Sequence, residues 1–310
     1  MNKDSKIYVT AKDGMVGSAI IRELLKQGYS NIITRSKNQL DLLNKEKVKE
    51  FLSYEKPDYI FLCSAKVGGI VANNTYPVDF LYDNMMIEFN VIKSAYECGI
   101  NNLMFFGSSC IYPKFCDIPI KESYLMTGSL ESTNEAYALA KISGIKLCQA
   151  YNKQYGTKYI TVMPCSLYGE GDNFHPANSH LIPALIQKIH NAKKNNLDSV
   201  ELWGTGNPLR EFLYIDDLAN ACIFLMKRHL TLENDIINIG SGIDYTIKNI
   251  ANLIKYMIGY EGEIKFDTTK PDGTFRKLID SNIIKRLGWK YQISLRDGLE
   301  KIYKFWLTKE

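Results

Sequence analysis

Tyr137 and Lys141 stand four residues apart in Tyr137-Ala138-Leu139-Ala140-Lys141, inside a run whose pattern predicts a helix over about 134–155. Residues four apart share a helix face. An ammonium beside a phenol favours the phenolate and draws its pKa down from about 10. Such a pair can hand a proton to a ketone oxygen as hydride reaches the carbon. The spacing alone is weak, because a chain with 20 tyrosines and 38 lysines plus arginines contains many chance pairs. Its meaning depends on what positions it.

Residues 6–11, Lys-Ile-Tyr-Val-Thr-Ala, read as a buried strand, and an amphipathic helix follows from Met15 to about Gln27. Between them run Ala11, Gly14, Met15, Val16 and Gly17, a G-x-x-G-x-x-G turn whose first glycine is replaced by alanine. Backbone N–H groups at such a helix start can meet a pyrophosphate, although an ordinary βα turn has the same outline. Ala11 suits a negative φ there and keeps the phosphate slightly further off. A second strand, 31–34, ends in Arg35-Ser36-Lys37, followed by Asp41. Cations at this point suit a ribose 2′-phosphate and so favour NADP over NAD, while the competing reading is a solvated basic loop. Asp41 is placed to touch the adenine side.

The pattern continues with a helix near 45–53 and a strand 59–63. The Ala65–Gly69 loop, a long helix 78–98 and a strand 103–107 ending at Ser108 follow, then the Tyr/Lys helix and a strand 159–163 ending at Pro164. Alternating β and α elements imply a Rossmann-type doubly wound parallel sheet, an α/β fold that binds ligands at the carboxyl ends of its strands. After Pro164 the chain is richer in loops: 167–176, a helix 181–192, a strand 199–203 and a loop 204–212. Helix 216–229 and strand 236–239 read as a return to the sheet. The expected division is therefore a dinucleotide-binding domain of residues 1–165 and 211–241. A smaller α/β substrate-binding lobe takes 166–210 and 242–310, with helices at 246–258, 281–287 and 294–306 and a strand at 263–267.

Composition narrows the function. A net charge of +4 with scattered basic residues gives no reason to expect nucleic acid. No apolar run approaches ~18 residues, and the N-terminus lacks the apolar stretch of a signal peptide. Seven cysteines without metal-like spacing read as reduced thiols of a cytoplasmic protein, with no metal expected.

With the glycine turn, Ser108, Tyr137 and Lys141 in register, the chain resembles the extended short-chain dehydrogenase/reductase family. Within it the chain is similar to the GDP-4-keto-6-deoxy-mannose 3,5-epimerase/4-reductases. The resemblance runs nearly end to end through Gly14–Ala19, Ala65–Pro77, Gly107–Lys114, Asn173–Pro176, Arg210–Phe212 and Lys270–Thr274. It implies that Ser108 hydrogen-bonds a C4 carbonyl, Tyr137 protonates it, and Lys141 binds the nicotinamide ribose. It implies NADPH as cofactor, with Ala65, Pro164, Leu167 and His180 also near it. Cys110 and His180 match the epimerisation pair, since inverting C3 and C5 beside a ketone needs a base on one face and an acid on the other. Thiol and imidazole both titrate near neutrality, although Cys110 alone is equally a packed core thiol. Asn173, Lys188, Trp203, Arg210 and Lys270 correspond to the GDP-sugar site, Trp203 being otherwise a core aromatic at a strand end. A homodimer through helices 78–98 and 134–155 is also implied.

The sequence departs from that pattern at Ala11, at Asp13 and Lys188 where relatives carry arginine, and at Cys165-Ser166 where Thr-Asn is expected. A carboxylate at Asp13 would repel phosphate, and a small Ser166 leaves space beside the sugar. The lead expectation is an NADPH-dependent epimerase/reductase of a GDP-4-keto-6-deoxy sugar, feeding surface polysaccharide. The alternatives are a C4-only reductase of a GDP-6-deoxy-4-keto-heptose and a non-catalytic nucleotide-sensing module.

Overall fold

The computed structural model describes residues 1–175 and 179–310, and for residues 70 and 71 the backbone alone. Pro176, which closes the Asn173–Pro176 motif, lies outside the described residues. The first part of the chain builds β1 (Ile7–Val9), α1 (Met15–Lys26), β2 (Ile32–Ile33), α2 (Lys45–Glu55), β3 (Tyr59–Leu62), a short α3 (Ile70–Thr75), α4 (Pro77–Glu97), β4 (Leu103–Phe106), α5 (Glu135–Tyr155) and β5 (Ile160–Pro164). The remainder builds β6 (Ser166–Tyr168), α6 (Leu181–Lys194), β7 (Ser199–Trp203), β8 (Leu209–Tyr214), α7 (Ile215–Met226), β9 (Ile236–Ile239), β10 (Asp244–Thr246), α8 (Ile247–Ile258), β11 (Glu263–Asp267), β12 (Arg276–Lys277), α9 (Asn282–Arg286) and α10 (Leu295–Leu307).

Six strands form one parallel sheet in the order β2-β1-β3-β4-β5-β9. The central strands carry continuous apolar runs, Tyr-Ile-Phe-Leu in β3 and Leu-Met-Phe-Phe in β4, as a sheet covered by helices on both faces requires. The chain moves from β1 outward to β2 and then returns to place β3 on the other side of β1. That reversal opens a crevice at the carboxyl ends of β1 and β3, where the glycine turn and Ala65 lie. Helices α4 and α5 pack along each other on one face, and α1 against α7. Their ends are set by local chemistry: Asn44 caps α2 through its side chain, and Gly156 closes α5 with φ +72°.

The second region differs from expectation in its strands. β8 and β6 occupy parts of the segments expected to be loops, and β10 and β12 are also strands. β8 is flanked by β10 and β12 and also pairs with β6, and β11 pairs with β7 in a separate parallel pair. These segments are two to six residues long and flanked by Gly and Pro. They carry little alternation of their own and are strands because the backbone of β8 offers partners. The expected division at 210/211 falls inside β8. Among the described residues no helix is long and apolar enough to cross a membrane. No group of His, Cys, Asp and Glu among them is placed to hold a metal ion. All seven cysteines are free thiols.

Candidate active site

A cleft of about 390 Å³ opens at the β1/β3 crevice. Ala11, Lys12, Asp13 and Gly14 line it, with Arg35, Lys37 and Asp41 further along and Ala65 and Lys66 opposite. Met15, Val16 and Gly17 form the first turn of α1, whose N-terminal amides face this end. A side chain at Gly17 would overlap the Ala11 and Thr10 carbonyl oxygens, so glycine is what lets α1 sit close against β1. Ala11 has φ +53°, not the negative value that would suit an alanine. The turn keeps the shape a glycine would give it, at a cost of about 1 kcal/mol. Asp13 does not stand as a bare carboxylate, because Lys12 Nζ lies 2.9 Å from its Oδ1. Arg35 lines the cleft with its guanidinium 2.7 Å from Glu55 and over the Phe51 ring. Lys37 has no partner among the described residues. The helix N-terminus, the cations and the close-packed glycine together fit a phosphorylated dinucleotide. Pro164 ends β5 and Leu167 lies in β6, outside these cleft walls.

Ser108, Cys110, Tyr137 and Lys141 form a second cluster. β4 delivers Ser108, which caps a single 3₁₀ turn by accepting from the Cys110 amide (3.4 Å). Its O–H therefore remains available to donate. α5 brings Tyr137 and Lys141 to one face, the ammonium 5.9 Å from the phenol ring centre and 4.6 Å from that of Phe105. Lys141 is buried and lies 3.0 Å from the buried carboxylate of Glu88 on α4. The Tyr137 phenol is not drawn down as the Tyr/Lys spacing suggested. Burial pushes it well above its ordinary value, and Cys110 and Glu88 add to the rise. Burial accounts for most of the difference, and the negative charge of Glu88 adds to it.

Cys110 is a buried thiol raised by burial, with Lys277 the strongest opposing influence. His180 precedes α6, its Nδ1 3.6 Å from Asp172 Oδ1. Hydrogen bonding to Asp172 raises the imidazole above its ordinary value, against the effect of burial. The two groups thus move apart in state: a neutral thiol and an imidazole that holds its proton to higher pH. The Asp172 loop is anchored beside α1, Glu170 pairing with Arg22 (3.6 Å). Asn173 follows in this loop and turns inward on its own backbone, accepting from the His175 amide (2.9 Å).

Arg210 on β8 is half-buried, and the only hydrogen bond of its guanidinium among the described residues goes to the neighbouring Leu209 carbonyl (2.8 Å). Burial lowers the guanidinium, with Asp272 opposing. β12 sets Lys277 directly opposite Arg210 in register. Burial also lowers the Lys277 ammonium, and it has no ion pair among the described residues. Glu211, the next residue of the Arg210–Phe212 motif, is buried and accepts from the Gly242 and Ile279 amides (2.6 and 3.0 Å), tying β8 to its neighbours. Trp203 is 71% exposed at the end of β7, not a core aromatic, and the Lys270 ammonium lies 5.8 Å from its ring centre. Asp272 secures the Lys270–Thr274 loop by accepting from the Thr205 amide and hydroxyl (2.9 and 2.6 Å). Lys188 is exposed on α6 with no partner among the described residues.

Reading the sequence singled out neither Glu88, Asp172 nor Lys277. Glu88 left a signal: a lone acid among apolar neighbours in Met85-Met86-Ile87-Glu88-Phe89, inside a helix with a buried face. Lys277 left none, because only the pairing of β12 with β8 brings it beside Arg210.

A model of the NAD dependent epimerase/dehydratase family matches residues 7–240. The chain is 54% identical over 306 residues to GDP-L-fucose synthase 1 of Arabidopsis thaliana, covering 99% of this chain and 94% of that one. It is 49% identical over 312 residues to GDP-L-fucose synthase of Escherichia coli (strain K12), covering 98% and 97%. Among solved structures it is similar to a GDP-mannoheptose C4 reductase from Campylobacter jejuni with NADP bound, with a TM-score of 0.91, 38% identity and 99% of each chain covered.

Proposed function

Because the chain belongs to the NAD dependent epimerase/dehydratase family, within the extended short-chain dehydrogenase/reductases, we propose that it is an NADPH-dependent epimerase/reductase of a GDP-4-keto-6-deoxy sugar, of the GDP-L-fucose synthase type. The observation that carries this reading is the meeting of Ser108, Cys110, Tyr137 and Lys141 in one cluster at the carboxyl end of β4 and the start of α5. NADPH, when bound, supplies the hydride. Ala11, the Gly14–Gly17 turn, Arg35, Lys37 and Asp41 bind the dinucleotide, with Ala65, Pro164 and Leu167 along its course. Lys141 meets the nicotinamide ribose.

The C4 carbonyl oxygen sits between the Ser108 hydroxyl and the Tyr137 phenol. The raised Tyr137 keeps its proton until the C4 oxygen becomes an alkoxide and takes it. Before reduction, Cys110 and His180 exchange protons at C3 and C5. His180, held protonated by Asp172, is the acid, and Cys110 is the base once Lys277 offsets the burial of its thiolate. Arg210 and Lys277 bind the pyrophosphate, with Lys188, Lys270, Trp203 and Asn173 around the nucleotide. Residues 1–165 with α7 and β9 form the cofactor domain, and the rest, including all of β8, the sugar-nucleotide lobe. Val78 and Tyr82 on α4 and Leu139 on α5 are exposed apolar side chains on the helix pair expected to form a homodimer. The reaction belongs to cytoplasmic nucleotide-sugar synthesis for surface polysaccharide.

Turnover of NADPH with GDP-4-keto-6-deoxy-mannose, with NMR of the product, tests the reading. GDP-L-fucose is the expected product. A second reading, C4 reduction alone on a GDP-6-deoxy-4-keto-heptose, is favoured by the burial that raises the Cys110 thiol and by similarity to the mannoheptose reductase. Faster turnover of the heptose with unchanged C3 and C5 would establish it instead.

A further inference from the structure

Glu88 lies in the middle of α4, fully buried, with an ammonium as its one charged neighbour among the described residues. Lys141 Nζ is 3.0 Å from Oε1, yet neither carboxylate oxygen has a partner in hydrogen-bond geometry among the described residues. A buried carboxylate whose one partner is a single ammonium is costly. Space for it comes from α5. A Cβ at Gly144, three residues after Lys141, would lie 2.5 Å from Glu88 Oε2 and 2.6 Å from the Phe105 ring. The helix pair is therefore cut away at the point where the carboxylate reaches under the lysine.

Resting on the reductase reading, we propose that Glu88 is a positioning residue for that reaction: the fixed counter-ion that holds Lys141 as an ammonium against Tyr137 and the nicotinamide ribose. The groups around the pair leave it no substitute. Phe105 of β4 faces Lys141 with its ring, and Tyr137 shares its helix. The thiols Cys63 after β3 and Cys110 feel its charge, and Cys148 of α5 feels that of Glu88. Both Cys63 and Cys110 are raised by burial, so neither is a standing anion for Lys141. Glu88 is itself raised to about 7 by burial, with Lys141 drawing it back. Burial keeps the Tyr137 phenol protonated and ready to donate, and Glu88 adds to that.

The test is single-turnover hydride transfer by Glu88→Gln, followed as loss of NADPH absorbance across pH. Without its counter-ion, a buried ammonium gives up its proton more readily as pH rises and regains it in acid. The ratio of variant to wild-type rate is expected to be about one-tenth or less at alkaline pH and to climb toward one as pH falls. A ratio that is the same at every pH marks a merely structural role and overturns the proposal, as does an unchanged rate.

A stability cycle with Lys141→Met needs no activity and covers both a poorly folding Glu88→Gln and a failed reductase reading. The double variant is expected to unfold at no lower denaturant concentration than the less stable single variant, because removing both charges strands neither. Strictly additive losses overturn the pairing. Wild-type protein that binds NADPH but reduces no GDP-4-keto sugar overturns the reductase reading, while the cycle still decides the pairing.

Discussion

Lys141 and Arg210 are both buried or half-buried cations, and the molecule treats them in opposite ways. Lys141 meets Glu88 at 3.0 Å inside the α4–α5 helix pair, with both side chains buried. Arg210 stands on a strand of the smaller sheet, facing Lys277 across the β8–β12 pairing and bonding to its own neighbour's carbonyl. One region has its charges balanced before any ligand arrives. The other sets two cations side by side with no ion pair among the described residues, which suits it to receive an anion. The difference fits the division of labour: the chemistry at C4 must be preorganised, whereas the nucleotide's negative charge is supplied by the substrate.

Four substitutions probe that contrast, beginning where the largest loss is expected. Tyr137→Phe removes the proposed proton donor from the balanced region and should slow hydride transfer by about 10³-fold with little change in NADPH affinity. Stopped-flow reduction beside a cofactor titration separates the two. Arg210→Ala acts on the unbalanced region. It should raise KM for the GDP-sugar about 10- to 100-fold while leaving kcat nearly intact, because a charge-assisted contact is worth roughly 1.5–3 kcal/mol. If kcat fell and KM stayed, Arg210 would belong with the chemistry and the contrast would fail.

Asp172→Asn is smaller and concerns sign. Asp172 raises His180, so its carboxylate extends the imidazolium to higher pH. The pH-rate limb due to His180 should move toward acid in the variant, and a move toward base would contradict the pairing. The smallest effect is expected at Ala11. Its φ of +53° is one that glycine adopts freely. Ala11→Gly should therefore stabilise the protein by about 1 kcal/mol in denaturant unfolding, less what glycine adds to the unfolded chain's freedom.

The two regions also differ in how far they could be read from sequence. The parallel sheet was legible because β3 and β4 are uninterrupted apolar runs between amphipathic helices, and α4 and α5 lie within a residue of their expected bounds. β6, β8, β10 and β12 were not, because short strands beside Gly and Pro take their shape from pairing partners distant in sequence. The same holds at side-chain level. Tyr137 and Lys141 meet through helix spacing and were visible. Glu88 reaches Lys141 from another helix, and Lys277 reaches Arg210 from another strand, so local pattern could not reveal either contact. Burial of the phenol, with a smaller push from Cys110 and Glu88, also explains why the pair's spacing gave the wrong direction for Tyr137.

The central claim is that one cluster carries out both proton exchange and reduction, with Cys110 serving the first and Tyr137 the second. Running the NADPH reaction on GDP-4-keto-6-deoxy-mannose in deuterated water and locating deuterium in the product tests it most directly. The account predicts deuterium at both C3 and C5 with wild-type protein. It also predicts that Cys110→Ser gives a product reduced at C4 but lacking that pattern. Reduced wild-type product with no deuterium at C3 or C5 would contradict it, as would a Cys110→Ser variant unable to reduce the ketone.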